Sequence, residues 1–324
     1  MNNSVNDMRR RVTLRDELEF AMHAKITVED MQEIDASDYA QCGEYDIHGL
    51  RRVLAFGNWA FNQEAWHNDD LTLPINARAI CHEDVQAHPE YYETALHVER
   101  LCRASDESLL RRYFHSCLAG ENLVQGYFVV PDIDRAESAG RKLWSEHAAR
   151  AYALGRLPIC EKHATRAHVM AFGAYRQMLW RSGDGNMSEE KRRRFWTAKV
   201  VCRSERFDVS IGFKVCVDHV GLDSFGEGIL VGDYKPVDSV SDSAVRRRAS
   251  ESRWPMKAFA CDLMTSARYG QPTRSVYFLS AIREDNHRVC DVSSDDLEEG
   301  RFMFARAVFR TRYQQGPQNE YDYE

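Results

Sequence analysis

Residues 212–236 constrain the fold of this chain most, because they hold two short apolar runs separated by residues that favour a tight turn. The runs cover residues 213–220 and 228–233, and both are rich in residue types that favour β-structure. Glycine, aspartate and serine lie between them, as is typical of hairpin turns. The pattern predicts a β-hairpin, and therefore a chain whose core contains a sheet.

Each apolar run carries an acidic residue at its rim, Asp218 in the first and Asp233 in the second. Lys235 lies two residues after Asp233, so both side chains point to the same face of an extended strand. Two carboxylates on adjoining strands repel each other unless a cation lies between them, and oxygen ligands of this kind suit Mg²⁺ or Mn²⁺. A neighbouring lysine can position an attacking water or stabilise a phosphate during hydrolysis.

This spacing of aspartate and lysine has two interpretations. On an amphipathic strand the two residues often form only a solvated face. The apolar run at residues 229–231 and the acid on the upstream strand favour a metal site instead. On that interpretation the sequence indicates metal-dependent cleavage of phosphodiester bonds.

Composition restricts the classes of protein that fit this sequence. With 324 residues, 44% of them hydrophobic and 29% charged, the chain can bury a full core as one large domain or two smaller ones. It has no apolar stretch of the roughly 20 residues that a membrane span needs, and no apolar region of a signal peptide follows its first arginines. Nine cysteines without a C-x-x-C pair argue against a zinc ribbon or an iron–sulfur cluster. We therefore expect a cytoplasmic protein with no membrane association.

The charge is unevenly distributed along the chain. A formal net charge of −7 is unfavourable for binding DNA, whose phosphates attract lysine and arginine. Basic runs nevertheless occur at residues 191–194 and 246–248, whereas acidic residues crowd the carboxy-terminal end. A basic channel beneath an acidic outer surface is compatible with this distribution.

Periodicity and turn residues divide the chain into three predicted parts. Residues 1–37 are predicted to be a polar leader with a helix near residues 14–22, residues 38–313 the folded domain, and residues 314–324 an acidic tail. Within the domain, the predicted helices include residues 107–118, 159–181 and 297–313, and the predicted strands include residues 126–130 and 198–202.

Residues 38–313 resemble the RecE-type exodeoxyribonuclease VIII family of the PD-(D/E)xK nuclease superfamily. Asp218 matches the first acid of the motif, and Asp233-Tyr234-Lys235 matches the second part. The stretch EYDIHGLRRVLAF resembles the family's opening helix, and a helix ending in a histidine before YFVVPDIDRAESAGRKLW resembles its amino-terminal half. After the motif, RWPMKAFACDLMTSARYG followed by SVYFLSAIRED resembles the family's helix and final core strand, which implies a fully buried strand at residues 275–282. The resemblance implies an α/β fold with a PD-(D/E)xK restriction-endonuclease-like core, in which a mixed central sheet is flanked by helices.

The resemblance also implies a set of site residues. Asp218 and Asp233 would bind Mg²⁺, or Mn²⁺ as a substitute, and His115 and the backbone carbonyl of Tyr234 would complete the protein ligands. Lys235 would position the attacking water or stabilise the developing charge. The DNA backbone would contact four basic residues, which are Lys257, Arg246, Arg247 and Arg248.

The sequence departs from the family pattern at several positions. The family has a further glutamate on the strand before the hairpin, and a match without gaps places Lys199 there, whereas a shortened turn brings in Glu205 as a catalytic residue. Lys257 stands where the family has a glutamine that orients the site. Two family glycines and a tyrosine are replaced by Arg111, Val215 and Cys261.

The resemblance implies a Mg²⁺-dependent deoxyribonuclease, an exonuclease on double-stranded DNA ends in recombination or phage DNA processing. It further implies a homo-oligomer that works with a single-strand annealing protein. The departures keep open a catalytically degenerate DNA-binding or assembly subunit on the same fold. A restriction-type endonuclease on the same core is a third alternative, and it differs in cutting closed circular DNA.

Overall fold

The computed structural model describes residues 12–35, 38–39, 42, 44–56, 106–119, 126–182, 193–225 and 228–313, and within them the chain forms a mixed α/β structure with three sheets. Predictions for the first 11 residues and for the acidic tail at 314–324 lie outside these ranges. None of the helices in the described part is both long and apolar enough to cross a membrane.

Helices and strands alternate irregularly along the described chain. The helices are α1 (Leu14–His23), α2 (Ile47–Phe56), α3 (Asp106–Ala119), α4 (Ser138–Ala153), α5 (Glu161–Ser182), α6 (Asp242–Glu251), α7 (Trp254–Tyr269) and α8 (Ser294–Tyr313). The strands are β1 (Lys25–Ile34), β2 (Tyr127–Val130), β3 (Leu157–Cys160), β4 (Arg194–Arg203), β5 (Asp208–Val217), β6 (His219–Leu222), β7 (Ile229–Val237), β8 (Thr273–Ala281) and β9 (His287–Asp291).

Two larger sheets organise the fold. In the first, β4 pairs antiparallel with both β1 and β5. In the second, the strand order is β6-β7-β8-β9, and β7 and β8 run parallel, whereas the two outer pairs are antiparallel. A parallel pair requires a crossover connection, and α6 and α7 lie in it. β2 and β3 form a small separate parallel pair.

The predicted hairpin is present, but its first strand is shorter than predicted. β6 pairs with β7 from His219, opposite Gly232, to Leu222, opposite Ile229. The earlier part of the apolar run belongs to β5, which pairs along its whole length with β4 in the other sheet. All but one of residues 213–220 are buried, so the apolar pattern does not indicate that one strand ends and another begins within this run. Asp218 lies at the point where the chain passes from one sheet to the other.

Strand β7 lies at the centre of the core. All of its nine residues except Lys235 are buried, as expected for a parallel strand that is covered on both faces. Leu230 belongs to an apolar cluster with Phe278 of β8 and with residues of α3 and α5. Val231 belongs to a second cluster, with Met256 of α7 and residues of α8. The two clusters hold β7 between two layers of helices.

The prediction of a polar leader over residues 1–37 does not hold for residues 12–35. Phe20 of α1 is fully buried, and its ring centroid lies 4.9 Å from that of Phe309 on α8. Glu17 is also fully buried and accepts hydrogen bonds from Arg306 Nε at 2.6 Å and from Arg310 Nε at 3.0 Å. β1 then pairs with β4 as an outer strand of the first sheet. The helix predicted near residues 14–22 is present as α1, but the many charged residues of this segment concealed the strand β1 and the packing of both elements in the folded unit.

Glu17→Gln should lower the free energy of unfolding by about 3 kcal/mol, because it removes the buried charge that Arg306 and Arg310 both contact. Urea unfolding measures the effect. The matched control is Glu19→Gln on the same helix, whose carboxylate forms surface pairs with Arg15 and Arg206. Its cost should stay below about 1 kcal/mol. Equal effects of the two substitutions would contradict the placement of α1 in the core.

Candidate functional site

Two acidic residues, one at the junction of the two larger sheets and one within the second sheet, converge on one lysine. Asp218 lies at the junction of β5 and β6, and Asp233 lies in the middle of β7. Lys257 lies in the first turn of α7, which contacts strands of both larger sheets. The Lys257 Nζ atom lies 3.2 Å from Asp218 Oδ2 and 2.8 Å from Asp233 Oδ1. One ammonium group therefore bridges both carboxylates.

The other oxygen of each carboxylate also faces a cation. Arg193 Nη2 lies 3.4 Å from Asp218 Oδ1, and Lys235 Nζ forms an ion pair with Asp233 Oδ2. These five residues form the charge cluster, in which three cations surround two carboxylates. Because both aspartates are buried, these interactions are poorly screened by solvent.

Burial and charge have opposite effects on the pKa values in the charge cluster. Burial alone would raise the pKa of Asp218, but the charges of Lys257 and Arg193 hold it well below its usual range. Burial likewise disfavours the charged form of Lys257, but the two aspartates raise its pKa well above the ordinary lysine value. At Lys235 burial prevails over the attraction of Asp233 and lowers the pKa to about 8. The bridging lysine is therefore firmly charged, and Lys235 titrates near neutral pH.

His115 and Tyr234 flank the charge cluster. Burial lowers the pKa of His115 on α3 to about 4, although the nearby charge of Asp218 opposes this, so the imidazole is neutral at pH 7. Tyr234 lies between Asp233 and Lys235 on β7, and its buried ring packs 5.3 Å from that of Phe278, measured between centroids. Both residues lie near the two aspartates, and their predicted role as metal ligands stays a prediction.

Neither Glu205 nor Lys199, the two positions considered for the further glutamate, lies in the charge cluster. Glu205 lies in the turn between β4 and β5, at the opposite end of β5 from Asp218. The strand has 10 residues, which separate its two ends by about 30 Å. Lys199 lies in the middle of β4 and pairs with Glu29 of β1 at 3.2 Å. Glu205 therefore cannot act together with Asp218 in this fold.

The predicted DNA-contacting arginines lie outside the cluster. Arg246 and Arg247 are exposed on α6, and Arg248 lies 3.8 Å from Glu251 of the same helix. This helix follows β7 closely, so the basic run lies beyond the end of the strand that carries Asp233. Only Lys257, of the four predicted DNA contacts, belongs to the charge cluster.

Three arginines near the site have roles that the sequence analysis did not identify. Arg193 was included only in a basic surface run. Arg51 is largely buried, which lowers the pKa of its guanidinium while the charge of Asp233 opposes the shift, and its Nη2 donates to the carbonyl of Arg253 at 2.8 Å. Arg111 donates to the carbonyl of Pro236 at 2.5 Å and pairs with Glu107. It thereby fixes α3 to the end of β7.

The geometry of the charge cluster does not fit a bound metal ion. Within the described residues, no group of three or more histidine, cysteine, aspartate or glutamate side chains is arranged to hold one. The point that reaches both carboxylates is the one that the Lys257 ammonium occupies. A divalent cation added beside Arg193, Lys235 and Lys257 would set five positive charges against two negative ones in a buried region. Without displacement of Lys257, electrostatics disfavours a metal here.

His219 follows Asp218 directly and is fully buried. Neither of its ring nitrogens has a hydrogen-bond partner among the described residues. Burial lowers the pKa of this side chain to about 4. Its ring lies against Phe278, and Gly232 provides the space, since a Cβ atom there would lie 2.4 Å from Phe278 Cε2.

Comparison with protein-family models, with curated proteins and with solved structures gives no match for this chain.

Acidification should destabilise the protein between about pH 6.5 and pH 4, because His115 and His219 take up protons in the unfolded state before they do so in the folded state. Each histidine contributes a slope of up to about 1.4 kcal/mol per pH unit within this window. Urea unfolding at pH 6 and pH 5 measures the slope of the unfolding free energy. His219→Leu should reduce it by about half, and an unchanged slope would contradict the buried, neutral state of His219.

Proposed function

We propose that this protein is a catalytically degenerate DNA-binding protein on a PD-(D/E)xK-like core, in which a lysine replaces the metal ion. The observation that carries the proposal is the position of Lys257 Nζ, within hydrogen-bond distance of both Asp218 and Asp233. The protein would then bind the DNA backbone without hydrolysing it.

The arrangement of secondary structure supports a PD-(D/E)xK-like core. The Asp233-Tyr234-Lys235 triplet lies on β7, the buried strand of a mixed sheet, and Asp218 meets it from the end of an adjoining strand. β7 continues through α6 and α7 into the parallel strand β8. This is the relation between the motif, the helix and the final core strand that the family resemblance implies.

An ammonium group cannot replace the chemistry of a divalent metal. A bound Mg²⁺ polarises the phosphate and makes a coordinated water more acidic, and both effects require open coordination positions and a double charge. Lys257 carries one charge, and both aspartates already accept hydrogen bonds from it. Its strongly raised pKa means that it stays protonated at any physiological pH.

The excess of positive charge in the cluster suits a phosphate. Three cations face two carboxylates, and the side chains of Lys235, Lys257 and Arg193 keep 12%, 17% and 23% of their surface exposed. A phosphate that approaches from the open side can therefore contact these cations without displacing the aspartates. The exposed arginines of α6 extend the basic surface beyond the end of β7.

A second candidate is the Mg²⁺-dependent exodeoxyribonuclease on double-stranded DNA ends. It is favoured by Lys235, whose pKa of about 8 leaves a share of the amine neutral and able to accept a proton from water near neutral pH. The neutral imidazole of His115 beside the two aspartates favours it as well. This candidate requires Lys257 to leave both carboxylates when DNA or a metal ion binds.

An end-labelled linear duplex tests both candidates in one experiment. Fluorescence anisotropy reports binding, and release of labelled nucleotides with Mg²⁺ reports cleavage, with closed circular DNA in parallel. We expect salt-dependent binding that does not require Mg²⁺, and no cleavage of either DNA. Lys235→Met should weaken binding and reduce the slope of log affinity against log salt by about one, since it removes one phosphate contact.

The matched control is Lys199→Met, which removes an exposed lysine of β4 far from the cluster. It should leave the affinity and the salt slope unchanged. If the wild-type protein digested the linear duplex and Asp233→Ala did not, the proposal of a catalytically degenerate protein would be contradicted. The result would establish nuclease activity instead. Equal effects of Lys235→Met and Lys199→Met on binding would show that the cluster does not contact DNA.

A further inference from the structure

One face of α5 presents apolar and basic residues to solvent. Residues spaced three or four apart lie on the same side of a helix, and six such positions, all exposed, run along α5. None of the six is acidic, and they are Lys162, Thr165, Val169, Phe172, Arg176 and Trp180. We call these six residues the α5 face.

A second aromatic residue extends the α5 face at its carboxy-terminal end. Phe225, in the loop between β6 and β7, lies with its ring centroid 4.9 Å from that of Trp180, at an interplanar angle of 52°. Trp180 is 62% exposed and Phe225 is 53% exposed. Two large aromatic rings that remain open to solvent while touching each other are unusual for a surface without a binding role.

Polar contacts fix the loop that carries Phe225. The backbone N–H and the hydroxyl of Ser224 both donate to the carbonyl of Arg181 at the end of α5, the N–H at 3.1 Å. The N–H of Phe225 donates to Asp223 at 3.2 Å, and the Arg181 guanidinium lies 4.8 Å from the Phe225 ring centre. The aromatic pair is therefore held in position before any partner binds, which reduces the entropic cost of binding.

The charge of this region differs from that of the whole chain. Helix α5 contains four lysine and arginine residues and one acidic residue, whereas the chain has a net charge of −7. The Arg176 guanidinium lies 6.0 Å from the ring centre of Phe172. Neither Arg176 nor Lys162 has a carboxylate partner in the part of the chain that the structure describes. Both cations are thus available for an anionic partner.

We infer that the α5 face and Phe225 form a binding site for single-stranded nucleic acid. Bases stack on Trp180 and Phe225, and the phosphates of a strand that continues along α5 pair first with Arg176 and then with Lys162, about 27 Å from Trp180 along the helix. Stacking on aromatic rings combined with phosphate contacts is how single strands are bound without sequence preference. A duplex does not offer the flat faces of its bases, so the aromatic pair favours a single strand. Self-association through this face in a twofold dimer would set one basic surface against another.

This site is separate from the charge cluster. Phe225 follows the far end of β6, whereas Asp218 precedes its first residue, and the four residues of β6 span about 13 Å. The inference therefore goes beyond the proposed contact with duplex DNA and does not depend on it.

Substitutions at Trp180 test the inference through binding of a labelled oligo-dT of about 16 nucleotides, followed by anisotropy. Trp180→Leu keeps an apolar side chain but removes the stacking surface, and it should weaken binding by about fivefold or more. Trp180→Phe keeps a ring and should stay within about twofold of the wild type. Met22→Ala, at an exposed apolar position of α1, is the control and should have no effect.

Equal binding of oligo-dT by the wild type, Trp180→Leu and Trp180→Phe would overturn the inference, as would absence of oligo-dT binding by the wild type. Sedimentation velocity of the same proteins tests the alternative that a second copy of this chain binds at the α5 face. If Trp180→Leu dissociated an oligomer without changing oligo-dT affinity, the face would be an interface between copies and the inference would fail. Duplex binding should be the same in all four proteins. Failure of the single-strand inference is therefore distinguishable from failure of the proposed duplex contact at the charge cluster.

Discussion

The bridge that Lys257 forms between Asp218 and Asp233 is the interaction on which the site depends. Two buried carboxylates this close to a common atom would repel each other strongly, and a buried charge without a partner costs several kcal/mol. The fold brings them together because β5 ends beside β7, and the first turn of α7 supplies the neutralising cation. The same three elements meet in the core, so the geometry of the site and the packing of the fold are determined together.

Much of the fold is predictable from the sequence where the apolar pattern is strong. The buried strand near residues 275–282 and the helix ending at Tyr313 lie close to their predicted positions. A continuous apolar run and a long amphipathic repeat are each compatible with few other secondary structures. The prediction fails where burial is uniform or charge dominates. The run 213–220 gives no sign that it serves two sheets. The charged residues of segment 12–35 do not hide the helix near residues 14–22, but they hide that this helix buries Phe20 in the core.

The candidate site is predictable from the sequence only where a local pattern determines which residues come together. A strand pattern places Asp233 and Lys235 on one face, and the hairpin brings Asp218 near them, so local geometry is sufficient for these three residues. Lys257 was identified as a departure from a family pattern, but its role as a bridge depends on how α7 packs across both sheets, which no local pattern encodes. Glu205 could belong to the site only if the turn before the hairpin were shortened. Because β4 pairs with β5 along its full length, the structure excludes that shortened turn.

Diffraction from crystals soaked in Mn²⁺ tests the central claim most directly, because anomalous scattering locates the metal independently of activity. The account predicts that no anomalous peak lies between Asp218 and Asp233 and that Lys257 Nζ remains within hydrogen-bond distance of both carboxylates. A manganese peak between the two aspartates, with the Lys257 side chain turned away, would contradict it.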